Sequence, residues 1–249
     1  MNDHEKYDYI IAGWGCSGMS LLYRILRTQT LKSKKILVID KTKKINNDRT
    51  WCYWERKNGV FDEIVYKKWK SLQFFSNNFT KKLNLNKYTY KMIRGVDFYS
   101  FVLAFSKKFK NVTFKNENIL RIDTNNQKGI LITNKSKYYA EYIFNSTNIF
   151  LPKITNKNSI LQHFEGWFIK SKEGIFDSNT GRLMDFRVSQ KYGTTFMYVL
   201  PITKNEALIE YTLFSKKTLK KNEYEIELKK YISKYLNIEN YEIIHKEFG

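Results

Sequence analysis

The sequence predicts an α/β chain in which a Rossmann-like nucleotide-binding layer is followed by a mostly antiparallel sheet. Three observations carry that expectation. A strand-like run at Asp8–Ala12 enters the turn Gly13-Trp-Gly15-Cys-Ser-Gly18, and a helical period opens directly behind it. A second strand-like run, Lys35–Ile39, ends against Asp40. From Leu161 onward, four strand-like segments follow one another with no helix between them, as in an antiparallel sheet.

Each element has its own reason. Tyr9, Ile10 and Ile11 make the first strand short and apolar. Ser17–Arg27 reads as a helix because Met19, Leu22, Tyr23 and Leu26 recur at helical spacing. Residues 41–58 carry no period and read as a loop. Asp97 is a good N-cap for a helix through about Phe109, with Phe98, Phe101, Val102 and Phe105 on one face. Val112–Asp123, Gly129–Thr133 and Tyr138–Ser146 read as strands, joined by turns at 125–129 and Asn134–Lys137. The later strands are Gln162–Ile169, Leu183–Val188, Thr195–Leu200 and Ala207–Leu213. After Lys220, a helix presents Tyr224, Leu228, Tyr231, Ile232 and Tyr235 on one face, and Tyr241–Ile244 begins another strand. The expected domains are a nucleotide-binding domain mainly over 1–160, a sheet over 161–215, and a helix and strand over 216–249 that begin the return to the first domain.

Composition narrows the class. Hydrophobic residues at 42% and charged residues at 27% mark a globular chain rather than a disordered one. No uncharged apolar run approaches the roughly 18–20 residues that span a bilayer. The N-terminus is polar with no apolar signal region behind it, so a cytoplasmic location is expected. Two cysteines, Cys16 and Cys52, offer no disulfide framework. The balance of 44 Lys+Arg against 24 Asp+Glu gives +20, which favours anionic surfaces. The lysines are scattered rather than aligned, an A/T-rich genome would produce the same bias, and no nucleic-acid motif is present, so nucleic acid is not an expected partner.

The glycine turn carries the chemistry. G-x-G-x-x-G is a weak signal alone, but here it follows a strand, opens a helix, and precedes Asp40, which lies 22 residues beyond Gly18. Gly13 allows the tight turn, Gly15 lets backbone approach a pyrophosphate, and Gly18 lets the helix pack close to the strand. The helix N-terminus offers free N–H groups to phosphate. Asp40 is placed to accept from an adenosine ribose, and an acid there disfavours a 2′-phosphate. Trp14 is a bulky occupant of such a turn and fits if its ring points away from the phosphates.

Three stretches together resemble the lycopene cyclase family of FAD-containing carotenoid cyclases: YDYIIAGWGCSGMSLLY at Tyr7–Tyr23, DRTWCYWE at Asp48–Glu55, and the block Leu161–Ser215 with QHFEGW, FDSNTGRLMDFRVSQ, FMYVLPIT and ALIEYTLFS. The resemblance implies a flavoprotein hydroxylase-like architecture, with FAD in the first domain and the antiparallel sheet binding substrate. It implies a non-redox ring closure of the ψ-ends of lycopene to β-ionone rings, assisted by reduced FAD. It also implies peripheral attachment to the membrane that holds the substrate. Family members continue beyond this point, so the resemblance implies a C-terminally truncated chain, its remainder lost or supplied by a separate chain.

The family's acid matches Glu210. In Ala207-Leu-Ile-Glu-Tyr-Thr-Leu-Phe214 a carboxyl would be poorly solvated, its pKa raised, and its proton retained for donation to an alkene; the alternative is that alternation points Glu210 to water. Asp185 is the second catalytic candidate. Arg187, a substrate-binding candidate, falls on the same strand face and is placed to pair with it; a plain ion pair is the competing reading. In D-R-T-W, Arg49 is a candidate for flavin contact and Trp51 for substrate contact, against a solvated loop with a packed tryptophan. His163 has no metal-ligand spacing and reads as a strand residue, no metal site is expected, and Cys52 has no nearby His or Cys partner. The rivals are another FAD enzyme of this fold, such as a hydroxylase or prenyl reductase, and a non-catalytic flavin- or carotenoid-binding fragment.

Overall fold

The computed structural model describes residues 6–125, 127–151 and 159–249. In chain order its elements are β1 (Lys6–Ala12), α1 (Cys16–Arg27), β2 (Ile36–Asp40), β3 (Thr50–Glu55), β4 (Lys67–Trp69), β5 (Ser71–Ser76), β6 (Phe79–Asn84), β7 (Thr89–Arg94) and α2 (Gly95–Ser106). They continue with β8 (Val112–Asn116), β9 (Ile119–Asn125), β10 (Lys128–Thr133), β11 (Lys137–Asn145), β12 (Leu161–Ser171), β13 (Thr180–Asp185), β14 (Thr194–Pro201), β15 (Glu206–Ser215), α3 (Lys221–Tyr231) and β16 (Tyr241–Phe248). The contacts divide them into two compact units, Met1–Thr50 with Arg94–Lys153 and Trp51–Ile93 with Ile154–Gly249.

The first unit is built on a six-stranded sheet of order β8-β2-β1-β11-β10-β9. Its first four strands run parallel, and β10 and β9 add an antiparallel edge. A parallel strand in the middle of such a sheet is covered on both faces; accordingly Ile10, Ile11 and Ala12 are all fully buried. Met19, Leu22, Tyr23 and Leu26, the predicted apolar stripe of α1, are all buried. Helix α2 starts at Gly95 with Arg94 as its cap, three residues before the expected N-cap Asp97. Asp97 instead sits in the first turn, where its charge complements the helix dipole, and it accepts from Arg94 Nε at 2.6 Å. The hairpin β9–β10 turns through Gln127 at φ 65°, as its composition predicted, and its residue 126 lies outside the described residues.

Two local expectations change here. Val112–Asp123 is not one strand but two, β8 and β9, which lie on opposite edges of the sheet. The break falls at Glu117, whose carboxylate is buried and accepts from Thr133 Oγ1 at 2.6 Å and Tyr138 OH at 2.9 Å. The loop expected over 41–58 contains β3, a strand of aromatic and polar residues without clean alternation.

The second unit holds a seven-stranded sheet of order β16-β12-β15-β14-β13-β5-β6 and a three-stranded sheet of order β3-β7-β4. All pairs in the large sheet are antiparallel except β13 with β5. Alternation along β15 gives the sheet two faces. Ala207, Ile209, Tyr211 and Leu213 pack with Tyr224, Leu228 and Tyr231 of α3. Leu208 points the other way, into a core with Trp69, Leu72, Tyr90 and Met92. Two domain expectations are therefore corrected. Trp51–Ile93 belongs to this second unit, because β5 and β6 extend its large sheet. Strand β16 does not begin a return to the first domain; it hydrogen-bonds to β12 along the edge of the large sheet.

Candidate functional site

In the first unit, the glycine turn leaves β1 at the carboxyl ends of the parallel strands. Gly13 has φ +108°, and a Cβ there would meet Ser146 Oγ at 2.4 Å. A Cβ at Gly18 would lie 2.1 Å from the Gly13 carbonyl oxygen, so the close approach of α1 to the turn requires glycine. Gly15 differs: a Cβ there would meet no protein atom within 4 Å. It lines a cavity of about 310 Å³ together with Gly13, Asp40, Lys41, Lys44, Asn118 and Ser146. The turn residue that the protein itself does not crowd thus opens on a space with two cations at its wall and a helix start beside it, which fits a pyrophosphate.

Asp40 stands at the end of β2 on the same cavity. Its Oδ2 accepts from the Trp14 backbone N–H at 2.8 Å, and its Oδ1 from the N–H and hydroxyl of Thr42 at 3.0 and 3.2 Å. A carboxylate offers about four acceptor positions, so one remains for a ribose hydroxyl. Trp14 is buried edge-on against Phe114, with centroids 5.0 Å apart. Arg49 is not among the cavity's lining residues; its guanidinium donates to the Asp48 carbonyl at 2.9 Å. Ser146 and Asn118 were not anticipated as site residues. The one available signal was that Ser146 closes a strand-like run, and ligands gather at the carboxyl ends of parallel strands.

In the second unit, Glu210 lies on the β15 face opposite α3. It is half-buried and accepts from Thr212 Oγ1 at 2.6 Å. Burial pushes its pKa up to about 7, against the Thr212 hydrogen bond and with help from the charge of Glu247. The groups around it are held neutral. Burial first, and then the charge of Glu210, push the Cys52 thiol and the Tyr198 hydroxyl each up to about 12. Burial raises Tyr90 as well. Neither Cys52, Tyr90 nor Tyr198 was anticipated as a neighbour of the acid, because they arrive on three other strands.

Asp185 and Arg187 are not part of that constellation. Asp185 is fully buried on the α3 face, where Arg187 donates to its two oxygens at 2.8 and 2.6 Å and Tyr231 OH at 2.7 Å. Burial works to raise its pKa, but the hydrogen bonds from Arg187 and Tyr231 outweigh it, and the carboxyl stays below its ordinary value. The Arg187 guanidinium is sandwiched 4.3 Å from the Phe75 ring and 4.7 Å from the Tyr235 ring. The pair is therefore an internal ion pair with the sheet between it and Glu210, and this corrects the expectation that Asp185 assists the acid. Trp51 is half-buried on β3, where alternation puts it on the opposite side from Cys52, away from the neighbours of Glu210. His163 is buried between Ser215 Oγ at 2.8 Å and Tyr224 OH at 2.5 Å.

A Rossmann-like unit with its glycine turn at the strand ends, and a second unit with a large antiparallel sheet, make the flavoprotein hydroxylase-like fold. A geranylgeranyl bacteriochlorophyll reductase-like protein from Thermoplasma acidophilum aligns with a TM-score of 0.71 at 15% identity, covering 98% of this chain and 66% of that one. The halogenase PltM, solved with phloroglucinol and FAD, aligns with a TM-score of 0.66 at 13% identity, covering 98% and 60%. The p-nitrophenol 4-monooxygenase PnpA from Pseudomonas putida DLL-E4 aligns with a TM-score of 0.69 at 10% identity, covering 98% and 68%. The chain thus spans about two thirds or less of the length of these structures. No curated protein matches it in sequence. Residues 8–249 match the family described as lycopene cyclase protein, and the chain belongs to the lycopene cyclase family.

Proposed function

We propose that the chain carries out a lycopene cyclase reaction, the FAD-assisted, non-redox closure of lycopene ψ-ends to β-ionone rings, with Glu210 as the proton donor. The observation that carries this reading is the Glu210 carboxyl, whose pKa of about 7 lies far above that of an ordinary glutamate. A carboxyl with that pKa still holds a proton in a large fraction of molecules at neutral pH, where a solvated glutamate has lost it, so the proton is available for transfer. Glu210 gives its proton to the terminal double bond, the inner double bond attacks the resulting cation to form the ring bond, and the Glu210 carboxylate takes back a ring proton as the ring double bond forms. No electrons are gained or lost overall. The neutral rings of Tyr90 and Tyr198 offer π-faces near the developing cation.

Gly13, Gly15 and the first turn of α1 would hold the pyrophosphate of FAD, and Asp40 its ribose. When bound, the reduced flavin supplies electron density that stabilises a cation. Lycopene resides in bilayers, so the reading includes work at a membrane surface, to which the net charge of +20 is suited. Among the described residues no helix is long and apolar enough to cross a membrane.

Expression in a lycopene-accumulating host tests the reading. The chain should convert lycopene to β- or γ-carotene, and Glu210→Gln should abolish the conversion; a Gln variant that cyclises normally sinks the assignment. NAD(P)H consumed in proportion to product would instead mark a redox flavoenzyme of the same fold.

A further inference from the structure

Glu210 has a second carboxylate in its row of the sheet. Glu210 of β15 lies opposite Gly166 of β12, and Gly166 lies opposite Glu247 of β16. On the other flank, Tyr198 of β14 lies opposite Glu210. Directly opposed residues share a face, so the row reads Glu247, Gly166, Glu210, Tyr198 across four neighbouring strands. The position between the two acids carries no side chain of its own, and a Cβ there would lie 3.1 Å from Leu208 Cδ1. A Cβ at Gly166 would lie 3.2 Å from Glu247 Cγ and 3.6 Å from its Oε1, so Glu247 leans over the glycine that separates it from Glu210. Glu247 is buried at 6% exposure. Two strand spacings put the two glutamate backbones only about 10 Å apart, well within reach of two side chains on one face.

We propose that Glu247 is a positioning residue for the acid, opposing ionisation of Glu210 from across Gly166 so that the proton stays on Glu210 until an alkene takes it. This rests on the reading of Glu210 as donor. Two like charges on one shielded face cannot both ionise freely, so one of the pair retains its proton to a higher pH. The electrostatics agree with the geometry. The charge of Glu247 raises Glu210, and the Cys52 thiol feels both carboxylates. Other titratable groups on this face are Tyr198 of β14, Cys52 of β3, Tyr90 of β7, His245, which packs against the Phe168 ring at 6.0 Å, and, two residue pairs further along the strands, Lys170 and Glu206, which pair with each other at 3.7 Å. Glu165 accepts from Trp167 Nε1 at 2.7 Å on the α3 face, and Asp185 is on that face too. Glycine at 166 adds no side chain of its own between the two acids and leaves room for the Leu208 methyl and the Glu247 side chain that lean over it.

The test is an infrared titration of protonated carboxyl bands in the purified full chain without FAD or substrate, beside the pH profile of cyclisation in lycopene-loaded phosphatidylcholine vesicles with reduced FAD. Glu210→Gln identifies the Glu210 band by its loss. In Glu247→Gln that band should titrate at least roughly half a pH unit lower, and the alkaline limb of the rate profile should move down with it, an about threefold loss of rate well above the midpoint. Glu247→Asp, which keeps the charge, should restore most of both shifts, which a merely structural role for Glu247 would not require. An unchanged Glu210 band in a folded Glu247→Gln chain overturns the inference, as does an identical loss in the Gln and Asp variants. If Glu210→Gln still cyclises, the proposed function fails instead, whatever the band does.

Discussion

Gly15 and Gly18 sit in one turn, yet a methyl group added to each meets opposite surroundings. At Gly18 it meets the Gly13 carbonyl at 2.1 Å, which only a backbone shift relieves. Gly18→Ala should therefore lower stability by about 1–3 kcal/mol, read as a drop in Tm without FAD. At Gly15 it meets nothing. Gly15→Ala should change stability by less than about 1 kcal/mol but weaken FAD binding at least tenfold, read by flavin fluorescence titration. Equal losses of stability in the two variants would refute the distinction. These roles were legible in the sequence because the turn's chemistry is local: strand, glycines, helix and acid lie within Asp8–Asp40. Ser146 was not, since it reaches the turn only through the parallel pairing of β11 with β1. The raised pKa of Glu210 was legible from its apolar strand. Glu247 was not, because the register of β16 on β12 leaves no trace in the sequence of either strand.

At the scale of elements, β13 shows how one side chain ends a strand. The sequence alternates through Leu183–Val188, but the strand stops at Asp185, whose Oδ1 takes the backbone N–H of Arg187 at 3.2 Å as well as its guanidinium. The carboxylate turns the chain back onto itself and anchors it to α3 through Tyr231. Asp185→Asn leaves Arg187 without its counter-charge in a mostly buried setting and should lower stability by about 3 kcal/mol, measured by urea unfolding at neutral pH. The sign with pH follows from the lowered pKa of Asp185. Its contribution is full above the unfolded value of about 3.9 and is lost as pH falls through the folded value, so wild type and Asp185→Asn should converge in acid. A difference that persists there would rule out the charge as its source. The same economy of polar contacts broke Val112–Asp123 at Glu117: in both places a buried carboxylate overrode an apolar period that taken alone pointed to a continuous strand.

For the whole molecule, the scattered lysines matter through their sum. A chain at +20 should sediment with vesicles containing anionic lipid and not with neutral ones, and raised salt should release it, since exposed charges are screened beyond about 8–10 Å. Equal binding to neutral vesicles would assign the attachment to apolar contact instead. Fold class and the order of strand and helix were legible at this scale because they follow from periodicity. The assignment of Trp51–Ile93 to the second unit was not, because it depends on the pairing of β5 with β13, more than a hundred residues later in the chain.

That interleaving has a consequence for biosynthesis. β1 lacks a neighbour on one edge until β11 is made, and β5, paired with β6 on one edge, lacks a neighbour on the other until β13 is made. Neither unit can complete its sheet while its early strands are the newest on the ribosome. The nascent chain therefore carries open strand edges through most of its translation, the interval in which such edges recruit chaperones or one another.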